Sequence, residues 1–197
     1  FGSLLYGFVN KYKYRVVTQK LHFPNLPVSF KGLKVLHISD IHSGSFMDKK
    51  AVAHGVDLIN RQNADLILFT GDLVNDRAVE MDPYIDLFSG IKAPMGVYAT
   101  LGNHDYGDYI QWPIDGISKT QNLQDLKAVF NKMNWRLLMN EHVVLQKGDD
   151  QIALIGVENW SAKARFPKYG NLSQAYEGAD NYPVSYTHLR AHETRED

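Results

Sequence analysis

At 197 residues, 44% apolar and 22% charged, the chain has the make-up of an ordinary globular protein and the length of one sizeable domain or part of a larger one. Its formal net charge of −1 argues against general electrostatic binding to nucleic acid or an anionic membrane, and no specific nucleic-acid binding is expected. With no cysteine, a disulfide scaffold, a thiolate zinc site and a cysteine nucleophile are excluded.

The chain opens on an apolar run, FGSLLYGF, before NKYKYR turns basic, which is how the cytoplasmic end of a transmembrane helix reads. A full span takes about 20 residues. Residues 1–13 are therefore expected to be the end of a membrane segment or a linker, with an amphipathic segment of a soluble protein as the alternative. The matching expectation is a membrane-associated protein with the domain that follows in the cytoplasm, the alternative being a soluble cytoplasmic one. Residues 14–23 are β-branched and partly alternating and are expected to form a strand; PNLPVSFKG is a loop by its prolines and glycine. Residues 33–39 (LKVLHIS) read as a buried strand stopped by DIHSGS. A helix is expected over residues 48–63, with Asp48 as its cap and the small Ala51 and Gly55 on it.

Residues 64–70 (ADLILFT) are a second buried strand, stopped by GDLVND. A short helix is expected over 81–90 with Pro83 in its first turn. MGVYAT is a third strand, stopped by LGNHD, and a polar, aromatic loop follows. Residues 123–133 have helical apolar spacing; WRLLMN, HVVLQKG and QIALIGVENW are strands, the last two joined as a hairpin through Gly148, Asp149 and Asp150. The alternation of strand and helix argues for parallel βαβ units. Asp40, Asp72 and Asn103 lie 32 and 31 residues apart, about one such unit each, which sets all three polar clusters at the carboxyl ends of neighbouring strands.

Those clusters are Asp40-Ile41-His42, Gly71-Asp72 with Asn75-Asp76 behind it, and Asn103-His104-Asp105. Each polar group costs free energy to bury unless something pairs with it. An extended segment turns residues i and i+2 the same way, so Asp40 and His42 are expected to grip one ion together. Such oxygen and nitrogen donors suit Mn, Fe, Zn or Mg. Asp72, on the central strand, is the natural bridge between two divalent ions, and Asn103 the neutral oxygen donor to the second. His104 is expected over the substrate as the group that stabilises charge or protonates the leaving oxygen. Asp105 is expected to hold the His104 ring and favour its charged form.

SDIHSG, GDLVND and LGNHD resemble the D-x-H, G-D-x-x-x-D and G-N-H-D/E signatures of the calcineurin-like metallophosphoesterases, in that family's order and after its strands. The LKVLHISDIHSG opening and the basic, apolar lead are similar to its bacterial membrane-associated branch. The resemblance covers roughly residues 33–160. It implies a four-layer α/β/β/α sandwich, Asp40 and His42 on the first metal, Asp72 bridging, Asn103 on the second, and His104 catalytic. It implies hydrolysis of a phosphomonoester, phosphodiester or pyrophosphate by a hydroxide bridging two divalent ions, the substrate being a phosphate ester with a lean toward a lipid-linked one. The family's later lone His and G-H-x-H motif have no visible counterpart. Residues 14–183 are thus expected to be the N-terminal half to two-thirds of such a domain. Residues 184–197 resemble translated cloning-adapter sequence after an interrupted reading frame, a non-native tail. The alternatives are a non-catalytic scaffold of the same fold, and a fragment inactive for want of its C-terminal His ligands.

Bland roles are expected for the other candidates. Asn75 and Asp76 are loop and cap residues, His37 a packed or hydrogen-bonded core histidine, and His22, His54 and His142 structural. His188 and His192 form an H-x-x-x-H pair, but no glycine precedes either, so they do not replace the missing motif. Tyr106, Tyr109 and Trp112 either line a substrate cleft or pack a long loop; the role of Glu158-Asn159-Trp160 stays open.

Overall fold

The computed structural model describes residues 12–160 and 168–182. Of residues 1–13, read as the end of a membrane segment or a linker, 1–11 lie outside the described residues, as does the whole tail, 184–197, with His188 and His192.

Four strands, β1 (Val35–Ile38), β2 (Leu66–Phe69), β3 (Val97–Ala99) and β4 (Arg136–Leu137), form one sheet in the order β1-β2-β3-β4. All three pairings are parallel, with Val35 opposite Leu66, Ile67 opposite Val97 and Tyr98 opposite Arg136. Between them run α1 (Lys49–Asn60), α2 (Ile85–Phe88) and α3 (Lys119–Lys132). The strands advance in one direction, and all three helices pack on one face of the sheet, as crossovers of one hand require. Val52, Val56, Phe88, Leu126 and Phe130 meet Ile67, Phe69, Val97 and Ala99 there, around a Trp135 that is 1% exposed. Full burial of each large apolar side chain stabilises the fold by ~1.5–3 kcal/mol.

The opposite face, presenting Leu66 and Leu68, is covered by the antiparallel hairpin β5 (Glu141–Lys147) and β6 (Asp150–Gly156), through Val143, Leu145, Ile152 and Leu154. Ala153 and Ile155 point the other way and meet Ala175 of the short helix α4 (Leu172–Tyr176). β6 is buried on both faces for this reason. The layers are thus helix, sheet, sheet, helix: a mixed α/β sandwich with a parallel sheet, as the motifs implied.

Local chemistry explains the elements and the departures from expectation. Asp48 caps α1, its Oδ1 accepting from the N–H groups of Lys50 and Ala51 at 2.9 and 3.1 Å. Gly55 leaves room for the Tyr14 ring, which a Cβ would meet at 2.9 Å. Residues 14–23 do not form the expected strand: among the described residues no strand pairs with them, and Val16, Val17, Leu21 and Phe23 are exposed. The expected helix over 81–90 is split into a 3-10 turn, Ala78–Met81, and α2, because Pro83 between them has no N–H to donate back. α3 starts a turn before its apolar spacing begins, at a polar Lys119, capped by Ser118. His37 is not in the core; β1 is an edge strand whose outer positions the hairpin leaves open, and the ring is exposed with Nε2 2.8 Å from Thr70 Oγ1.

Candidate metal centre

Because β1, β2 and β3 are adjacent and parallel, the loops that end them emerge side by side. The first two are stitched together past the strands: the N–H groups of Asp40, His42 and Ser43 donate to the carbonyls of Gly71, Asp72 and Leu73, each at 3.0 Å. Asp40, His42 and Asp72 all sit at positive φ, 53°, 46° and 62°. A non-glycine residue held there costs ~1–3 kcal/mol and persists where the surroundings over-determine it, typically at functional sites. Asp40 and His42 therefore converge through two left-handed residues, and not through the extended geometry expected of an i, i+2 pair.

What pins these loops is Asp105. It is completely buried, and its carboxylate accepts from four backbone N–H groups: Asp72 at 2.8 Å, Leu73 at 2.8 Å, Val74 at 3.3 Å and Gly102 at 2.9 Å. Burial pushes its carboxyl up to about 7, helped by the charge of Asp72, while the N–H groups of Gly102, Val74 and Asp72 pull it down. The expected contact between Asp105 and the His104 ring is not made. The ring nitrogen Nδ1 lies 2.7 Å from the backbone carbonyl of Asn75, which can only accept, so Nδ1 carries the proton and Nε2 is the working nitrogen. Asp105 is a positioning residue for the loops.

Of the side chains expected to bind metal, Asp40, His42 and Asp72 come together. His42 Nε2 lies 4.0 Å from Asp40 Oδ1 and 3.8 Å from Asp72 Oδ2. Donor atoms of His42, Asp72 and His104 all lie within 4.8 Å of one another, a spacing and a donor set that fit a divalent cation. His104 thus stands among the candidate ligands. Its backbone N–H donates to Asp72 Oδ1 at 2.9 Å, and its ring packs edge-on to His42 with centroids 4.7 Å apart. Burial raises the Asp72 carboxyl above its usual range, and Asp40 adds to this; the N–H of His104 and the charges of both histidines oppose it. A cation beside Asp72 would lower it further.

Gly71, at φ 102°, and Gly102 explain the glycines of the second and third motifs. A Cβ on Gly71 would overlap the backbone of Gly102, and one on Gly102 would overlap the Asp72 carboxylate. Gly102→Ala is expected to cost ~1–3 kcal/mol through overpacking and to weaken metal binding by displacing Asp72. Thermal unfolding and a Mn²⁺ titration of the variant check both parts; wild-type values in each would contradict them.

Several supporting groups were not legible beforehand. The Glu80 carboxylate accepts from the N–H groups of Asn75, Asp76 and Arg77, holding the loop after β2. Buried Asn122 of α3 grips the same loop, accepting from Ala78 N–H and donating to the Asp76 carbonyl. Asn75 and Asp76 lie in the loop after β2, their backbone N–H groups held by Glu80. Tyr106 hydrogen-bonds to Glu158, which Asn140 also holds, tying the third loop to the second sheet. Tyr106 is buried, so of the three aromatics it packs the loop. His142 Nδ1 contacts the Ala175 carbonyl, a structural setting.

The family model for calcineurin-like phosphoesterases matches residues 33–189. A transmembrane protein with a metallophosphoesterase domain from Danio rerio is 26% identical over 171 residues, covering 84% of this chain and 36% of that protein. The metallophosphoesterase YkoQ of Bacillus subtilis is 27% identical over 162 residues, 80% of this chain and 53% of YkoQ. The UDP-2,3-diacylglucosamine pyrophosphatase LpxG of Chlamydia trachomatis is 33% identical over 116 residues, 55% of this chain and 35% of LpxG. The chain therefore spans between about a third and a half of the length of these relatives. Among the described residues no helix is long and apolar enough to cross a membrane. With a family model matched across most of its length, the chain belongs to the calcineurin-like phosphoesterases.

Proposed function

We propose that the protein carrying this chain hydrolyses phosphate esters at a centre of two divalent ions, with Asp40, His42, Asp72 and Asn103 as ligands supplied by this chain. The observation that carries the reading is the convergence of His42, Asp72 and His104 donor atoms within 4.8 Å at the ends of three adjacent parallel strands. When bound, the ions supply Lewis acidity toward a phosphoryl oxygen and a water acidified enough to attack at neutral pH.

The chain's own residues do the rest. Asp72, buried beside His42 and taking the His104 N–H, would be the ligand shared by the two ions. Asp105 keeps the Asp72 and Gly102 backbones in register, so that the ligand loops are set before substrate arrives. His104, with Nδ1 tied to the Asn75 carbonyl, presents Nε2 as the nitrogen able to hold a proton for the leaving oxygen. For the substrate we favour a lipid-linked phosphodiester or pyrophosphate. Support comes from LpxG, a relative named for a pyrophosphatase acting on a diacylated nucleotide sugar, and from relatives named as transmembrane proteins. Membrane association through an N-terminal segment belongs to the same reading.

The test is hydrolysis of bis(p-nitrophenyl) phosphate and p-nitrophenyl phosphate by the full-length protein. Activity is expected with Mn²⁺, lost in EDTA and restored by Mn²⁺. No hydrolysis with any divalent ion would overturn the catalytic reading in favour of a scaffold of the same fold.

A further inference from the structure

We infer that Tyr109 is a positioning residue that turns the Asn103 amide so that its oxygen, and not its nitrogen, faces the metal site; this rests on the metal reading above. An amide ligates a cation only through oxygen, and its NH₂ end would point two partial positive charges at the ion. Something must therefore choose between the two amide orientations. Asn103 Nδ2 donates to the Tyr109 hydroxyl at 2.6 Å. With the NH₂ end committed to Tyr109, the end that remains for a cation is the oxygen.

The same ring stacks on His104, with centroids 4.5 Å apart and planes 24° from parallel. His104 is thus held by Tyr109 on its face, by the Asn75 carbonyl at Nδ1 and by the His42 ring edge-on. One tyrosine touches both an expected ligand and the expected proton carrier. Its place does not come from burial, since it is 44% exposed. It comes from the loop. Gly107 turns the chain at φ 64°, where a Cβ would meet the Trp112 ring at 2.9 Å, and Trp112 Nε1 donates to the Gly107 carbonyl at 2.8 Å. Asp108, next to Tyr109, is paired with Lys119 at the start of α3. The loop is fastened on both sides of the tyrosine.

Tyr109→Phe removes the hydroxyl and keeps the ring. Partners that orient a ligand are worth about 10–100-fold in metal affinity, and a loss in that range is expected for Mn²⁺, read by electron paramagnetic resonance titration. The melting temperature should not move, because an exposed hydroxyl carries little stability. The decisive comparison uses Asn103→Asp, whose carboxylate presents an oxygen whichever way it turns; adding Tyr109→Phe there should cause little further loss. Wild-type affinity in Tyr109→Phe would overturn the positioning role while leaving the metal reading intact. An equal loss in the Asn103→Asp background would overturn the amide-turning role. A wild-type protein that takes up no Mn²⁺ would overturn the metal reading, and this inference with it.

Discussion

Asp105→Asn is expected to destabilise the protein by about 2–4 kcal/mol and to disorder the metal ligands at the same time. The isosteric change replaces one carboxylate oxygen by an NH₂ group in a completely buried site ringed by four N–H donors. The four N–H groups form two pairs, Asp72 and Gly102 donating to Oδ2 and Leu73 and Val74 donating to Oδ1. Whichever way the new amide turns, donors face donors. Leaving a buried donor unsatisfied costs ~1–3 kcal/mol, more where the lost partner was charged. For a chain of this size a change of 1 kcal/mol moves the melting temperature by about 2–4 °C, so differential scanning calorimetry should record a fall of about 4 °C or more. A variant that melts with the wild type would show that these bonds do not hold the loops.

The second large effect is on turnover. His104→Ala in the active protein should lower it by about 10²-fold or more, the low end of what a positioned proton donor contributes. Metal content should stay close to that of the wild type, because Asp40, His42, Asp72 and Asn103 remain. The structure sharpens this experiment, since His104 also stands within ligand distance of His42 and Asp72. Metal lost in step with activity would make His104 a ligand; unchanged turnover would remove it from the mechanism.

The parallel sheet and the convergence of three loops were legible in the sequence because each apolar run ends abruptly at a polar cluster, and the runs recur at the length of one βαβ unit. The hairpin was legible from its alternating runs around Gly148. What the sequence could not carry was local backbone geometry. Nothing in the letters distinguishes an extended Asp40-Ile41-His42 from the left-handed one that forms. Asp105 was misassigned for a related reason: adjacency in sequence suggested contact with His104. The segment is a 3-10 turn, His104–Tyr106, with three residues per turn, so consecutive side chains diverge and Asp105 turns inward while His104 turns toward the site. Residues 14–23 have a strand's composition, but a strand exists only where a neighbour supplies its hydrogen bonds. The roles of Tyr109 and of the Asn75 carbonyl depend on distances between loops, which no short-range pattern encodes.

Mn²⁺ binding by the wild type and by Asp72→Asn, measured side by side by titration and metal analysis, decides whether these strand ends form a metal centre. Asp72 is the buried carboxylate that faces His42 at 3.8 Å and takes the His104 N–H at 2.9 Å, so a centre built on these three strand ends depends on its charge. Mn²⁺ is expected on the wild type, with a marked loss of occupancy in Asp72→Asn while the fold stays intact. Full occupancy in the variant would contradict this.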